Sequence, residues 1–184
     1  MALTSTIYKA ELSISDMDRH YYATHALTLA RHPSETEQRL MMRLLAFALF
    51  ADERLAFGRG LSDEDEPALW QRDYADQIEL WIELGQPDES RIRKACARAQ
   101  QVVVIGYAGH AFQVWWDKQA NALRRYDRLA VLEIAADDVV ALEALCTRGM
   151  RLQCLIQDGE LNLLDGEHTV ALRPQFHKGL AETA

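Results

Sequence analysis

Residues 61–98, LSDEDEPALWQRDYADQIELWIELGQPDESRIRKACAR, hold two strand signals, a turn and a helix start in one segment. The acidic run Asp63-Glu64-Asp65-Glu66 ends at Pro67, and the apolar Ala68-Leu69-Trp70 follows. From Ile78 to Leu84 the chain alternates with period two: Ile78, Leu80, Ile82 and Leu84 share one face, and Glu79, Trp81 and Glu83 the other. Gly85 ends that run. Pro87-Asp88 then opens a basic helix over about 88–99, with Asp88 as its cap and Ile92, Cys96 and Ala99 inward. The two runs predict a hairpin with its turn centred near Ala75, which sets Glu83 opposite Pro67, with Glu66 and Ala68 beside it.

Such a hairpin brings a strand carboxylate to the end of an acidic loop. Carboxylates gathered from separate elements repel one another, and a divalent cation is the usual remedy. Glu83 with Asp65 or Glu66 is therefore the expected metal site, with Mg²⁺ the expected ion. Arg91, Lys94 and Arg98, at i, i+3 and i+7 on the following helix, form the expected phosphate-facing row. The plainer reading is a polar hairpin with a solvated loop and a helix whose cations face water.

Upstream, residues 34–52 (SETEQRLMMRLLAFALFAD) predict a helix, and Ser34-Glu35-Thr36-Glu37 reads as a capping box. At 100° per residue Glu37 falls within about 40° of the stripe of Met41, Leu44 and Ala48, while Glu35 points to solvent. Glu37 is thus either used up as a cap or aimed at the site.

Elsewhere the pattern predicts strands over 4–14 and 20–32, the latter stopped by His32-Pro33. Residues 102–107 (VVVIGY) read as a central strand buried on both faces, 111–116 (AFQVWW) as another strand, 117–125 as a short helix, and 129–134 as a strand. Trp115 and Trp116 read as core and sheet cover rather than a base-stacking platform. Asp137 is expected to cap a helix that Gly149 closes. Runs at 151–156, 160–164 and 169–172, with turns at Asp158-Gly159 and Asp165-Gly166, predict a β-meander. The fold class is α+β, or mixed α/β: a central mixed sheet with flanking helices and a C-terminal meander, in one domain over 1–184.

A chain of 184 residues is long enough to bury a real core, and no apolar run approaches a membrane span. The N-terminus has no signal-peptide profile, so the expectation is a soluble, cytoplasmic protein. Cys96, Cys146 and Cys154 are widely spaced in apolar surroundings and read as reduced packing residues, and the histidines show no paired ligand spacing. A net charge of −8 argues against a broad nucleic-acid footprint and leaves room only for a local basic patch.

The segments STIYKAELSISDMDRHYY (5–22), LTLARHPSETEQRLMMRLLAFALFADERLAFGRGL (27–61), DEDEPALW (63–70), IELWIELGQPDESRIRKAC (78–96) and RLQCLIQDGELNL (151–163) resemble the bacterial YaeQ family through nearly the whole chain. That family has no assigned function, and its fold is similar to a variant of the PD-(D/E)xK, or restriction-endonuclease-like, nuclease superfamily. The resemblance implies a nuclease-like scaffold. By the superfamily motif, Glu37 matches the helix carboxylate, Asp65 or Glu66 the first hairpin acid, and Glu83 the second. Two departures stand out: Ala68 follows the proline where the motif has Asp, and Gly85 stands where it has Lys. Gln86, Arg91 and Lys94 are the available substitutes for that lysine, with Arg91 and Gln86 ranked first. Two functions follow. One is a non-catalytic interaction protein, or a degenerate metal- or nucleic-acid-binding one, whose pocket binds a partner, a nucleotide or nothing. The other is a Mg²⁺-dependent phosphodiesterase acting on nucleic acid.

Overall fold

The computed structural model describes residues 4–179. In chain order the elements are β1 (Thr6–Asp16), β2 (Tyr21–Arg31), α1 (Glu37–Leu49), β3 (Leu55–Phe57), β4 (Leu69–Arg72), β5 (Ile78–Leu84), α2 (Glu89–Arg98) and β6 (Ala99–Gly106). They continue with α3 (His110–Leu123), β7 (Leu129–Glu133), α4 (Ala136–Glu143), β8 (Gly149–Gln157), β9 (Glu160–Leu164), β10 (Thr169–Leu172) and β11 (Gln175–Lys178). The architecture is α+β, with the strands divided between two mixed sheets. Each sheet belongs to its own compact unit; among the described residues one is formed by 4–51 with 137–174 and the other by 52–136 with 175–179.

The first unit carries a five-stranded sheet in the order β10-β9-β8-β1-β2. β1 runs antiparallel to β2 and parallel to β8. Its alternation is as expected: Tyr8, Ala10, Leu12 and Ile14 are buried, matched by Met150, Leu152, Cys154 and Ile156 of β8. The expected meander is present as β8, β9 and β10, joined antiparallel.

α1 starts three residues later than expected, and the Ser34/Glu37 capping box does not form. Thr36 is the cap, its hydroxyl accepting from the Arg39 N–H at 3.1 Å, because Ser34 is taken by the His32 ring at 2.6 Å. Glu35, outside the helix, is freed from its helical phase and turns inward rather than to solvent. It is 3% exposed and pairs with Arg39 at 2.9 Å and with Arg43 at 2.8 Å. Desolvation pushes the Arg43 guanidinium down from its ordinary value, against the pull of Glu35.

The second unit carries a six-stranded sheet, β11-β7-β6-β5-β4-β3. β5, β6 and β7 run parallel, linked by α2 and α3 in two strand–helix–strand crossovers. β6 is central and buried from Val102 to Gly106, as its continuous apolar run predicts. The expected strand at 111–116 and helix at 117–125 are one helix, α3. Phe112, Trp115, Trp116 and Leu123 recur at helical spacing and close over Val104, Val131 and Ile92, so burial overrides the β-propensity of AFQVWW. Asp137 lies in the first turn of α4 instead of capping it, and Gly149 opens β8 instead of closing a helix. β3 and β11 are short pieces with no sequence signal of their own. Among the described residues no helix is long and apolar enough to cross a membrane.

Candidate functional site

The hairpin forms, one step out of the expected register. Leu69 pairs with Ile82 and Trp70 with Trp81, and the Ala68 N–H donates to Ile82 O at 3.1 Å. The turn is centred at Ala75 as expected, with Arg72 paired to Ile78 and Asp73 accepting from the N–H groups of Ala75 and Gln77, and the offset comes from a bulge between Gln71 and Arg72. Trp81 and Glu83, two apart on β5, share a face, and the indole Nε1–H donates to Glu83 Oε1 at 2.8 Å. Glu83 is 5% exposed.

α2 begins as its sequence predicts. Asp88 caps it by accepting from the Arg91 N–H at 2.8 Å, which fixes the first turn and carries the Arg91 side chain back over the strand end. There the guanidinium joins strand to loop. Nε donates to Glu83 Oε1 at 2.8 Å, Nη1 to Glu64 O at 2.7 Å and Nη2 to Glu66 O at 3.0 Å. Arg98 donates to the intervening carbonyl, Asp65 O, at 2.9 Å, with its guanidinium 5.1 Å from the Trp81 ring centre. Three successive loop carbonyls are thus tied to one helix by two arginines.

The loop is also closed on itself. Arg59 clasps the Glu66 carboxylate through its main-chain N–H at 2.8 Å and through Nη2 at 3.0 Å. The Arg59 guanidinium, then its N–H, hold the Glu66 carboxyl below the usual carboxylate range. Gly58 allows this closure, since a Cβ there would lie 2.2 Å from Pro67 O. Nothing in the sequence marked Arg59 as part of the site; only the adjacent glycines, Gly58 and Gly60, hinted at a close approach.

Between loop and helix lies a cleft of about 540 Å³ lined by Glu64, Asp65, Trp81, Arg91, Lys94 and Arg98, with Ser90 and Ala97 along the helix. The predicted row Arg91, Lys94 and Arg98 therefore does share one wall. Lys94 makes no side-chain hydrogen bond or ion pair among the described residues. Gln86 is exposed and is not among the residues that line the cleft. Glu37 belongs to the first unit, where Tyr8 Oη donates to it at 3.4 Å.

These donors do not suit a divalent ion as they stand. Glu83 Oε1 already accepts from Trp81 and Arg91, the Glu66 carboxylate accepts from Arg59, and among the described residues no three His, Cys, Asp or Glu side chains converge. Gly85, at the motif's lysine position, has φ 95° and its N–H bonded to Ile105 O at 2.9 Å, a backbone that an L side chain rarely adopts.

The family model for the YaeQ protein matches residues 1–174. The chain is 46% identical over 173 residues to the "Uncharacterized protein YaeQ" of Salmonella typhi, covering 94% of this chain and 96% of that one. It is 45% identical over 170 residues to the Escherichia coli (strain K12) protein of the same name, covering 92% and 94%. Two crystal structures are similar throughout. The YaeQ protein of Xanthomonas axonopodis pv. citri has a TM-score of 0.93 at 59% identity, covering 96% of this chain and 99% of that one. The YaeQ protein of Pseudomonas syringae has a TM-score of 0.91 at 36% identity, covering 95% and 97%. With residues 1–174 matched by the family model and 96% of the chain matched in fold, this chain belongs to the YaeQ family.

Proposed function

We propose that this chain is a nucleic-acid-binding protein on a nuclease-like scaffold, which holds single-stranded nucleic acid in the cleft between the acidic loop and α2 without cutting it. The observation that carries the reading is the position of Arg91. A nuclease-like site needs positive charge between the strand acid and the acidic loop, and here a guanidinium fills that place through contacts to Glu83, Glu64 and Glu66. The charge is supplied by the chain itself, and Gly85, at φ 95°, holds a backbone conformation that the lysine which would assist hydrolysis rarely adopts. Of the acids expected to hold a metal, Glu83 is already engaged by Trp81 and Arg91, and Glu66 by Arg59.

The walls of the cleft favour nucleic acid over a simple anion. One wall offers cations: Lys94, and the Nη2 group of Arg98, to meet phosphates. The other offers the carboxylates of Glu64 and Asp65, which accept hydrogen bonds from exocyclic amino groups of bases. A ligand anionic along one edge and donor-bearing along the other satisfies both. A net charge of −8 repels a polyanion everywhere else, which favours a narrow single strand over a duplex with its wider footprint.

The test is fluorescence anisotropy of a labelled single-stranded oligonucleotide at low salt, with wild type and Lys94→Gln. Wild type is expected to bind, and the variant to bind more weakly with its salt slope reduced by about 0.7, one phosphate contact. Absence of wild-type binding, or identical curves for the two proteins, overturns the reading.

A further inference from the structure

The cleft does not end at Arg98. Ala97 and Arg98 also line a second cleft of about 360 Å³, whose other walls include Asp76, Gln77, Gln100 and Arg128. Ala97 and Arg98 are the residues common to both walls, so the two spaces adjoin at the C-terminal end of α2. The charge of the second cleft differs from that of the first. Its one carboxylate, Asp76, is paired with Arg72 at 3.0 Å, whereas Arg128 is exposed and makes no side-chain hydrogen bond or ion pair among the described residues. Two cations and two free amides remain, without the opposing acids of the loop.

We infer that the two clefts form one continuous groove that takes a single-stranded polynucleotide several residues long, with Lys94 and Arg128 as phosphate contacts at its two ends. The inference rests on the nucleic-acid reading above and extends it from a site to a track. Lys94 and Arg98 stand one helical turn apart, about 6 Å along the axis, and Arg98 shares the second cleft with Arg128. A mononucleotide fills the first cleft and has no phosphate left for the second. A polymer has one. Gln77 and Gln100 meet base edges there as donor or acceptor, so the far end of the track reads no particular base.

The experiment compares two single-stranded oligodeoxycytidylates, whose exocyclic amino groups can donate to Glu64 and Asp65, of about four and about twelve nucleotides, against wild type, Lys94→Gln and Arg128→Gln. Circular dichroism confirms that each variant folds, as expected for exposed cations without partners. Lys94→Gln should weaken both probes. Arg128→Gln should leave the short probe unchanged and weaken the long one about threefold, with the salt slope reduced by about 0.7. If Lys94→Gln weakens both probes and Arg128→Gln neither, the track is wrong and the first cleft stands. If wild type binds neither probe, both readings fall. Displacement of the long probe by polyglutamate of matched length as readily as by unlabelled oligodeoxycytidylate also overturns the track.

Discussion

Arg91 Nε lies 2.8 Å from Glu83 Oε1, and through this one contact the first turn of α2 is locked to the end of β5. The same guanidinium holds two carbonyls of the acidic loop, so removing it breaks strand, helix and loop apart together. Arg91→Ala leaves Glu83 buried with only Trp81 as a partner. The expected loss is about 2–4 kcal/mol in urea unfolding. Arg91→Lys should not restore it, since one ammonium cannot reproduce the three-way fork. Glu83→Gln, which keeps an acceptor for the indole, should cost about 1 kcal/mol. An Arg91→Ala change below about 0.5 kcal/mol would mean the contact carries no weight.

Acid should open the loop. The folded-state pKa of Glu66 is depressed, chiefly by the Arg59 guanidinium, so its stabilisation is present above the unfolded value and is lost as pH falls through the folded one. Below pH about 4, limited proteolysis with an acid-active protease should cut within 58–66. Glu66→Gln should show that cutting already at the upper end of the protease's range. Equal loop protection in wild type and Glu66→Gln at every pH would contradict the clasp.

The cysteines give an alkaline counterpart. Burial pushes the Cys146 thiol up to about 11 and the Cys154 thiol up to about 12, and raises Cys96 as well. The folded values lie above the unfolded ones, so their stabilisation is complete below pH about 8.5 and is lost as pH rises toward 11 and 12. At pH 8 the native protein should react slowly with a disulfide reagent and the urea-unfolded protein rapidly at all three thiols. A fast native phase would show that a thiolate is exposed.

In the first unit, Glu35 and Glu37 should exchange the importance that a helical wheel assigns them. Glu35→Ala strands a nearly buried Arg43 and should cost about 3 kcal/mol, read by thermal or urea unfolding. Glu37→Ala removes one long hydrogen bond from Tyr8 at 3.4 Å and should cost less than about 1 kcal/mol. The reverse order would restore the expected capping box.

What the sequence made legible follows from how local each signal is. The Asp88 cap, the α2 cation row and the meander each rest on residues within a few positions of one another and stand where the pattern puts them, and the hairpin forms about the expected turn, one step out of register beyond its bulge. α3 was misread because AFQVWW is rich in strand formers over six residues, and its helical period emerges only over the full His110–Leu123 span. Glu35 was misplaced because a three-residue shift in the helix start changes every angle on the wheel. The site itself was half legible. Carboxylates on the strand and the loop marked where positive charge must go, but nothing in the spacing said that Arg91 would reach across to supply it. Arg59 reaches the Glu66 carboxylate, and Arg128 its cleft, only through the way the chain folds.

The measurement that bears most directly on a self-supplied cation is binding and cleavage of one labelled single-stranded oligonucleotide, followed in parallel with EDTA and with Mn²⁺. Equal affinity in the two conditions, with the probe intact on a denaturing gel after prolonged incubation, is the predicted result. Binding that requires Mn²⁺, or a cleaved probe that survives when Glu83 is replaced by Gln, would contradict it and return the site to metal-dependent phosphodiester chemistry.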